Sequence, residues 1–200
     1  MAGGEGRRMN YQDKGLTPFQ HSHFVDIVLE VLQQQCHAVA INANRNIAQY
    51  QTRQVAVYPD QAPWLGHGPL SGVCSSVSYF PESVELIQVL PCDMPWINSE
   101  VINRLYQQLT QSTDSNTPIQ AVFACTAEQD FPIVFQFRRT LLEHMQDFIL
   151  TQPKFGVKHW LASVNALPVQ FEDASWFVNI NDHDTLQSLQ SRHSIVRHLE

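Results

Sequence analysis

Short apolar runs alternate along this chain with segments whose apolar residues recur at helical spacing. Cys36 to Ile41, Val55 to Tyr58 and Leu86 to Leu90 are near-continuous apolar runs, the pattern of strands covered on both faces. Phe24, Ile27, Val28, Val31 and Leu32 fall on one stripe of a helix. Val101, Ile102, Leu105 and Leu109 form a second stripe, with Asn98 or Ser99 available as its N-cap. Strand, helix, strand, helix predicts parallel pairing and a layered α/β sandwich.

Beyond the polar loop Gln111 to Pro118, the runs Ile119 to Cys125 and Phe131 to Phe137 lie close enough in sequence to form a β-hairpin. Leu141, Leu142, Met145, Phe148 and Ile149 predict a further helix. Val169 to Phe171 and Phe177 to Ile180 read as late strands, and a C-terminal helix is expected from about Asp182. The fold expected is a Rossmann-like three-layer sandwich with a mostly parallel central sheet and a β-hairpin insertion. One domain is expected over residues 1–200, with a nucleotide-binding half (1–97) and an acceptor half (98–200).

The pattern lacks an N-terminal strand. A glycine loop begins at Met1, where α/β sheets normally deliver such a loop from a preceding strand. A start codon assigned too late is the expected cause. Loss of a central strand would instead leave ladder groups unpaired and open an apolar hole.

Composition narrows the function classes. The 200 residues carry a formal net charge of -7, with 44% hydrophobic and 16% charged residues. That fits a soluble globular protein and argues against broad nucleic-acid binding. No apolar run reaches the roughly 18 residues of a membrane-span candidate. No signal-peptide stretch is present, so a cytoplasmic location is expected. Cys36, Cys74, Cys92 and Cys125 form no Cys-x-x-Cys pair, and Cys36, Cys92 and Cys125, beside apolar runs, are expected to be reduced and mostly buried. His21 and His23 read as a solvated helix start rather than a metal site.

Against this acidic background, Gly3, Gly4 and Gly6 are followed by Arg7, Arg8 and Lys14. Bare backbone N–H groups with nearby cations suit a local polyphosphate site. The spacing fits neither a Walker loop nor a dinucleotide fingerprint. Asp93 ends the run Leu86 to Leu90 and stands between Pro91 and Pro95, which restrict the backbone and so aim the carboxylate. Mg²⁺ takes one or two carboxylates together with phosphate oxygens and waters, a need that a lone rigid Asp meets. Asn42 to Arg45 and Asp60 also follow apolar strands, at the sheet edge where α/β folds bind ligands. Gly66 to Leu70 is expected to turn into a helix from Gly72 onwards, with His67 exposed. Asp182-His183-Asp184 reads as a capped helix start rather than a metal site.

These blocks together resemble the molybdenum cofactor guanylyltransferases. The N-terminal signature reads Ala2-Gly3-Gly4-x-Gly6-x-Arg8-Met9, then Asp13-Lys14-Gly15-Leu16. It is followed by Asn42-Ala43-Asn44-Arg45, by Asp60 with Gly68-Pro69-Leu70-Ser71-Gly72, and by Pro91-Cys92-Asp93-Met94-Pro95. Phe177-Val178-Asn179-Ile180-Asn181 closes the series. The wider nucleotidyltransferase group has Pro-Lys where this chain has Asp13-Lys14. The resemblance implies GTP contacts at Met1, Ala2, Gly3, Gly4, Lys14, Asn42, Asp60 and Asp93, and pterin contacts at Asn179 and Asn181. It implies catalytic roles for Arg8, Lys14 and Asp93, with Mg²⁺ on Asp93. The substrates implied are GTP and molybdopterin, used by a monomer that meets other molybdenum cofactor proteins only transiently.

The chain departs from the family pattern at several positions. Asn10-Tyr11 replaces two glycines, Phe131-Pro132 stands where His-Pro is common, and Lys158 stands where Arg is frequent. Lys keeps the charge but lacks the bidentate fork. Asn10-Tyr11 falls next to the expected triphosphate, whereas the changes at Phe131 and Lys158 bear more on the acceptor than on the nucleotide. CTP or a sugar-phosphate acceptor remains an alternative reading, as does a molybdopterin-binding protein without turnover.

Overall fold

The computed structural model describes residues 1–2, 13–111, 118–152 and 156–180. Lys14–Leu16 form a 3₁₀ turn, followed by a two-residue antiparallel ribbon of β1 (Pro18–Phe19) and β2 (Ser22–His23). Then come α1 (Phe24–Gln35), β3 (Ala40–Asn42), α2 (Ile47–Gln51), β4 (Ala56–Tyr58), α3 (Pro69–Val77) and β5 (Leu86–Val89). The second half holds α4 (Ser99–Thr110), β6 (Ala121–Cys125), β7 (Asp130–Arg138), α5 (Leu142–Thr151), α6 (Val157–Ser163) and β8 (Leu167–Gln170).

β3 and β4 pair in parallel. A four-stranded sheet has the order β5-β7-β6-β8, with β6 and β8 parallel and β7 antiparallel to both β5 and β6. Met1 and Ala2 tie the two sheets together. The Met1 amino group donates to Leu90 O at 2.7 Å, Cys92 N donates to Met1 O at 3.1 Å, and Ala2 N donates to Asn42 O at 2.8 Å. The two bonds to β5's continuation are those of a parallel bridge. The layer is thus mostly parallel, with β7 as its reversed strand among the described residues. β6 and β7 are the expected hairpin.

Strand alternation divides the core. Val122 and Ala124 of β6 face Val101, Ile102, Leu105 and Leu109 of α4, joined by Val28 of α1. Ala121, with Ile87, Val89, Phe135 and Phe137, faces α3, α5 and α6 through Leu70, Val73, Met145, Ile149 and Trp160. Each fully buried aliphatic or aromatic side chain contributes about 1.5–3 kcal/mol. Three layers result from the period-2 strands and period-3.6 helices.

Several boundaries differ from the sequence expectation. The run from Cys36 yields strand only at Ala40–Asn42, because α1 continues to Gln35 and Cys36 N caps it on Leu32 O. Pairing with the three-residue β4 starts only at Ala40. The segment from Phe177 to Ile180 is no ladder strand. Ala174–Phe177 form a 3₁₀ turn, and Ile180 N then bonds Asp93 O at 3.0 Å. The third helix starts at Pro69, three residues ahead of Gly72, since Pro suits a first helical position. Asn98 is the N-cap of α4, accepting from Glu100 N and Val101 N. The expected C-terminal helix lies outside the described residues.

Candidate active site

The carboxyl ends of β3, β4 and β5 converge on one edge, with Met1–Ala2 between β3 and the segment after β5. Asn42 ends β3. Its Nδ2 donates to Tyr58 O at 3.0 Å and to Asp60 Oδ1 at 2.9 Å. Asn44 Nδ2 donates to Asp60 Oδ2 at 3.0 Å, while Asp60 N donates to Asn44 Oδ1 at 2.7 Å. The two strand ends are therefore clasped by side-chain bonds where their ladder stops. Gly72 keeps this clasp open. A Cβ there would lie 2.6 Å from Met1 Cε and would overlap the Asn42 amide.

On the other side of Met1–Ala2, Asp93 stands 9% exposed. Lys14 Nζ donates to Asp93 Oδ2 at 2.9 Å across a sequence separation of 79 residues. The pair joins the N-terminal segment to the loop after β5. Burial of the adjacent Cys92 pushes its thiol up to about 12, opposed in part by the neighbouring Met1 amino group. Cys92 is thus held as a thiol, and no thiolate chemistry belongs to this edge.

Asp13 is the residue that sequence reading passed over. It is buried and caps the Lys14–Leu16 turn, accepting from Gly15 N at 3.2 Å. Tyr50 OH donates to its Oδ1 at 2.5 Å and Asn46 Nδ2 to its Oδ2 at 3.0 Å, with Arg45 Nε 3.7 Å away. Burial, then the bond to Asp13, raises the Tyr50 pKa far above the ordinary phenol range. Tyr50 OH also abuts Gly15, where any Cβ would overlap it. This knot fixes the turn that carries Lys14. The signal was in the sequence, since Asp13 directly precedes Lys14, but its partners come from the separate segment Arg45 to Tyr50.

Residues 1–174 match the family described as MobA-like NTP transferase domain. The chain belongs to that family. It is 32% identical over 195 residues to the molybdenum cofactor guanylyltransferase of Methylibium petroleiphilum, covering 96% of this chain and 94% of the relative. With the molybdenum cofactor guanylyltransferase of Cupriavidus metallidurans it is 30% identical over 192 residues, covering 96% and 92% respectively. In fold it is similar to a nucleotidyl transferase from Methanothermobacter, with a TM-score of 0.71 at 14% identity, covering 96% of this chain and 94% of that one. As a member of the MobA-like family the protein is a nucleotidyltransferase.

The segment that holds Asn179 runs beside Asp93. The Asn179 Oδ1 is buried with no hydrogen-bond partner among the described residues, and the next residue, Ile180, donates its N–H to the Asp93 carbonyl. Lys158, at the start of α6, pairs with Asp130 Oδ2 at 2.9 Å and is exposed. His67 is half-buried rather than exposed, with Nδ1 2.9 Å from Trp64 O. The structure thus brings together Met1, Ala2, Lys14, Asn42, Asp60, Asp93 and Asn179. Gly3, Gly4, Arg8 and Asn181 lie outside the described residues.

Proposed function

We propose that the protein transfers GMP from GTP to the terminal phosphate of molybdopterin, or of its molybdenum form. The products are molybdopterin guanine dinucleotide and pyrophosphate. The Lys14–Asp93 pair beside Met1–Ala2 carries this reading, supported by the names of the relatives. A cation and a buried carboxylate meet where backbone ends converge, which suits a polyphosphate and its counter-ion.

Residues 1–97 bind the nucleotide and residues 98–200 the acceptor. Asn42 and Asp60 contact the nucleotide; an Asp carboxylate can accept two hydrogen bonds from a guanine edge or a ribose. Met1, Ala2, Gly3 and Gly4 offer backbone groups to the phosphates. Asn179, whose orphaned acceptor awaits a donor, contacts the pterin together with Asn181.

Asp93 fits Mg²⁺. It is a single buried carboxylate rather than a cage, and among the described residues no group of three acidic, His or Cys side chains forms one. Bound Mg²⁺ would supply charge compensation to the phosphate oxygens. An ionised oxygen of the acceptor phosphate attacks the α-phosphorus in line. The new P–O bond forms as the bond to the bridging oxygen breaks, and pyrophosphate leaves with that electron pair. Lys14, released from Asp93, and Arg8 hold the departing charge. No side-chain nucleophile is needed, so positioning and electrostatics dominate. The protein works as a cytoplasmic monomer.

The test is pyrophosphate release with GTP, CTP and molybdopterin. Asp93→Asn is expected to cut turnover by about a thousandfold or more, the scale of a lost electrostatic group, with an unchanged circular dichroism spectrum. Undiminished release by the folded variant would remove Asp93 from the mechanism. Preference for CTP would reassign the nucleotide.

A further inference from the structure

Asn179 lies between two anchors and belongs to no ladder. Ile180, the residue after it, is fully buried with Phe19 and Phe24 and donates its N–H to Asp93 O at 3.0 Å. Phe177, two residues before it, is buried flat against Phe131 of β7, with ring centroids 4.4 Å apart and 16° between the planes. Phe171, just past β8, meets the Phe177 ring in a T-shaped contact at 5.2 Å. Arg104 backs Phe171 in turn, its Cζ 4.5 Å from the ring centroid, and donates to Gln170 O at 2.6 Å.

β7 is shaped for the stack. Its register against β6 jumps from Phe123↔Phe135 to Ala124↔Phe131, which leaves 132–134 outside that ladder. Pro132 has no N–H to give and suits such a bulge. Bulges re-aim the side chains beside them. Here Phe131 ends on the α4 face of the sheet, in the same cluster as Phe171 and Phe177.

From Phe177 to Asn179 the backbone covers two residues, at most about 7 Å. A tilt of the Phe177 ring therefore moves Asn179. An aliphatic side chain at 131 fills space without fixing the plane of its neighbour, whereas a stacked ring fixes both. Phe131 carries no polar atom to offer a ligand, so its influence on the site passes through the ring. The group so placed is Asn179 Oδ1, buried and without a partner among the described residues.

We propose that Phe131 is a positioning residue for the acceptor. Its stack on Phe177 sets the place of Asn179, and the Ile180 bond to Asp93 O keeps that place in register with Asp93. This rests on the pterin contact proposed for Asn179 and names what aims it.

The test measures KM for molybdopterin and for GTP in pyrophosphate release by the full chain. Phe131→Leu should raise KM for molybdopterin about tenfold and leave KM for GTP unchanged, since a misplacement of about 1 Å can cost about a hundredfold. Phe131→His keeps a flat ring and should stay within about threefold of wild type. Asn179→Ala should raise the same KM, and Phe131→Leu added to it should change nothing further, because the ring acts through Asn179. Exchange of the Ile180 amide, which needs no substrate, should quicken about tenfold in Phe131→Leu. If that variant does not fold, Phe131→Met, which fills the space with a flexible chain, takes its place with the same expectations. Unchanged KM for molybdopterin, both KM values raised alike, unchanged Ile180 exchange or full additivity with Asn179→Ala would each overturn the proposal while leaving the acceptor in place. Wild type that does not use molybdopterin would overturn the acceptor reading itself, and the role of Phe131 with it.

Discussion

Asp13 shows how one side chain organises a site without touching its chemistry. Its carboxylate satisfies Gly15 N, Tyr50 OH and Asn46 Nδ2 and thereby holds the turn that presents Lys14 to Asp93. Asp13→Ala should cost about 3 kcal/mol in urea unfolding, because buried donors left unpaired cost about 1–3 kcal/mol each. Tyr50→Phe should cost less, since it removes a donor together with its need for a partner. The double variant Asp13→Ala/Tyr50→Phe should cost less than the sum of the two single costs by at least about 0.5 kcal/mol. Strict additivity would show that the knot does not act as a unit. The Asn42–Asp60–Asn44 clasp was legible residue by residue, but the bonds within it were not. Period-2 patterning says where a strand ends, not which neighbouring end it meets.

At the scale of elements, the junction of α1 with α2 is electrostatic. Arg53 Nε donates to Asp26 Oδ1 at 2.8 Å, and His23 N donates to Asp26 Oδ2 at 3.2 Å. Burial acts to raise the Asp26 pKa, but the bonds from Arg53 and His23 outweigh it and hold it below 3.8. A carboxylate with a depressed folded pKa adds stability that is complete above its unfolded value and fades as pH falls through the folded one. Wild type should therefore exceed Asp26→Asn in Tm near neutral pH. The gap should close as pH drops below 3.8, the ordinary carboxyl value. A constant gap across a pH series of thermal melts would exclude this linkage. The helices α1, α4 and α5 follow from the spacing of their apolar residues. The β1–β2 ribbon and α6 are too short to carry a periodic signal. The segment from Phe177 reads as a strand, yet it spends its backbone bond on Asp93 O instead of a ladder.

For the whole molecule, the candidate site is assembled from elements on both sides of Met1–Ala2. A ligand that binds this arrangement and not the unfolded chain stabilises it by mass action, about 2.7 kcal/mol at 100 times its Kd. GTP with Mg²⁺ should therefore raise Tm, by less when the metal is removed with EDTA and by less still in Asp60→Ala. An unchanged Tm at saturating GTP would contradict the nucleotide assignment. The order of apolar runs was enough to predict a layered α/β chain, its hairpin and the edge on which Asn42, Asp60 and Asp93 stand. These follow from local periodicity and from the rule that ligands sit at strand ends. Only the tertiary structure decided that Lys14 reaches Asp93 and that Asp13 and Tyr50 support it. Those features depend on contacts between segments far apart in the chain, and hydrophobic patterning carries no information about which distant partner fills a given space.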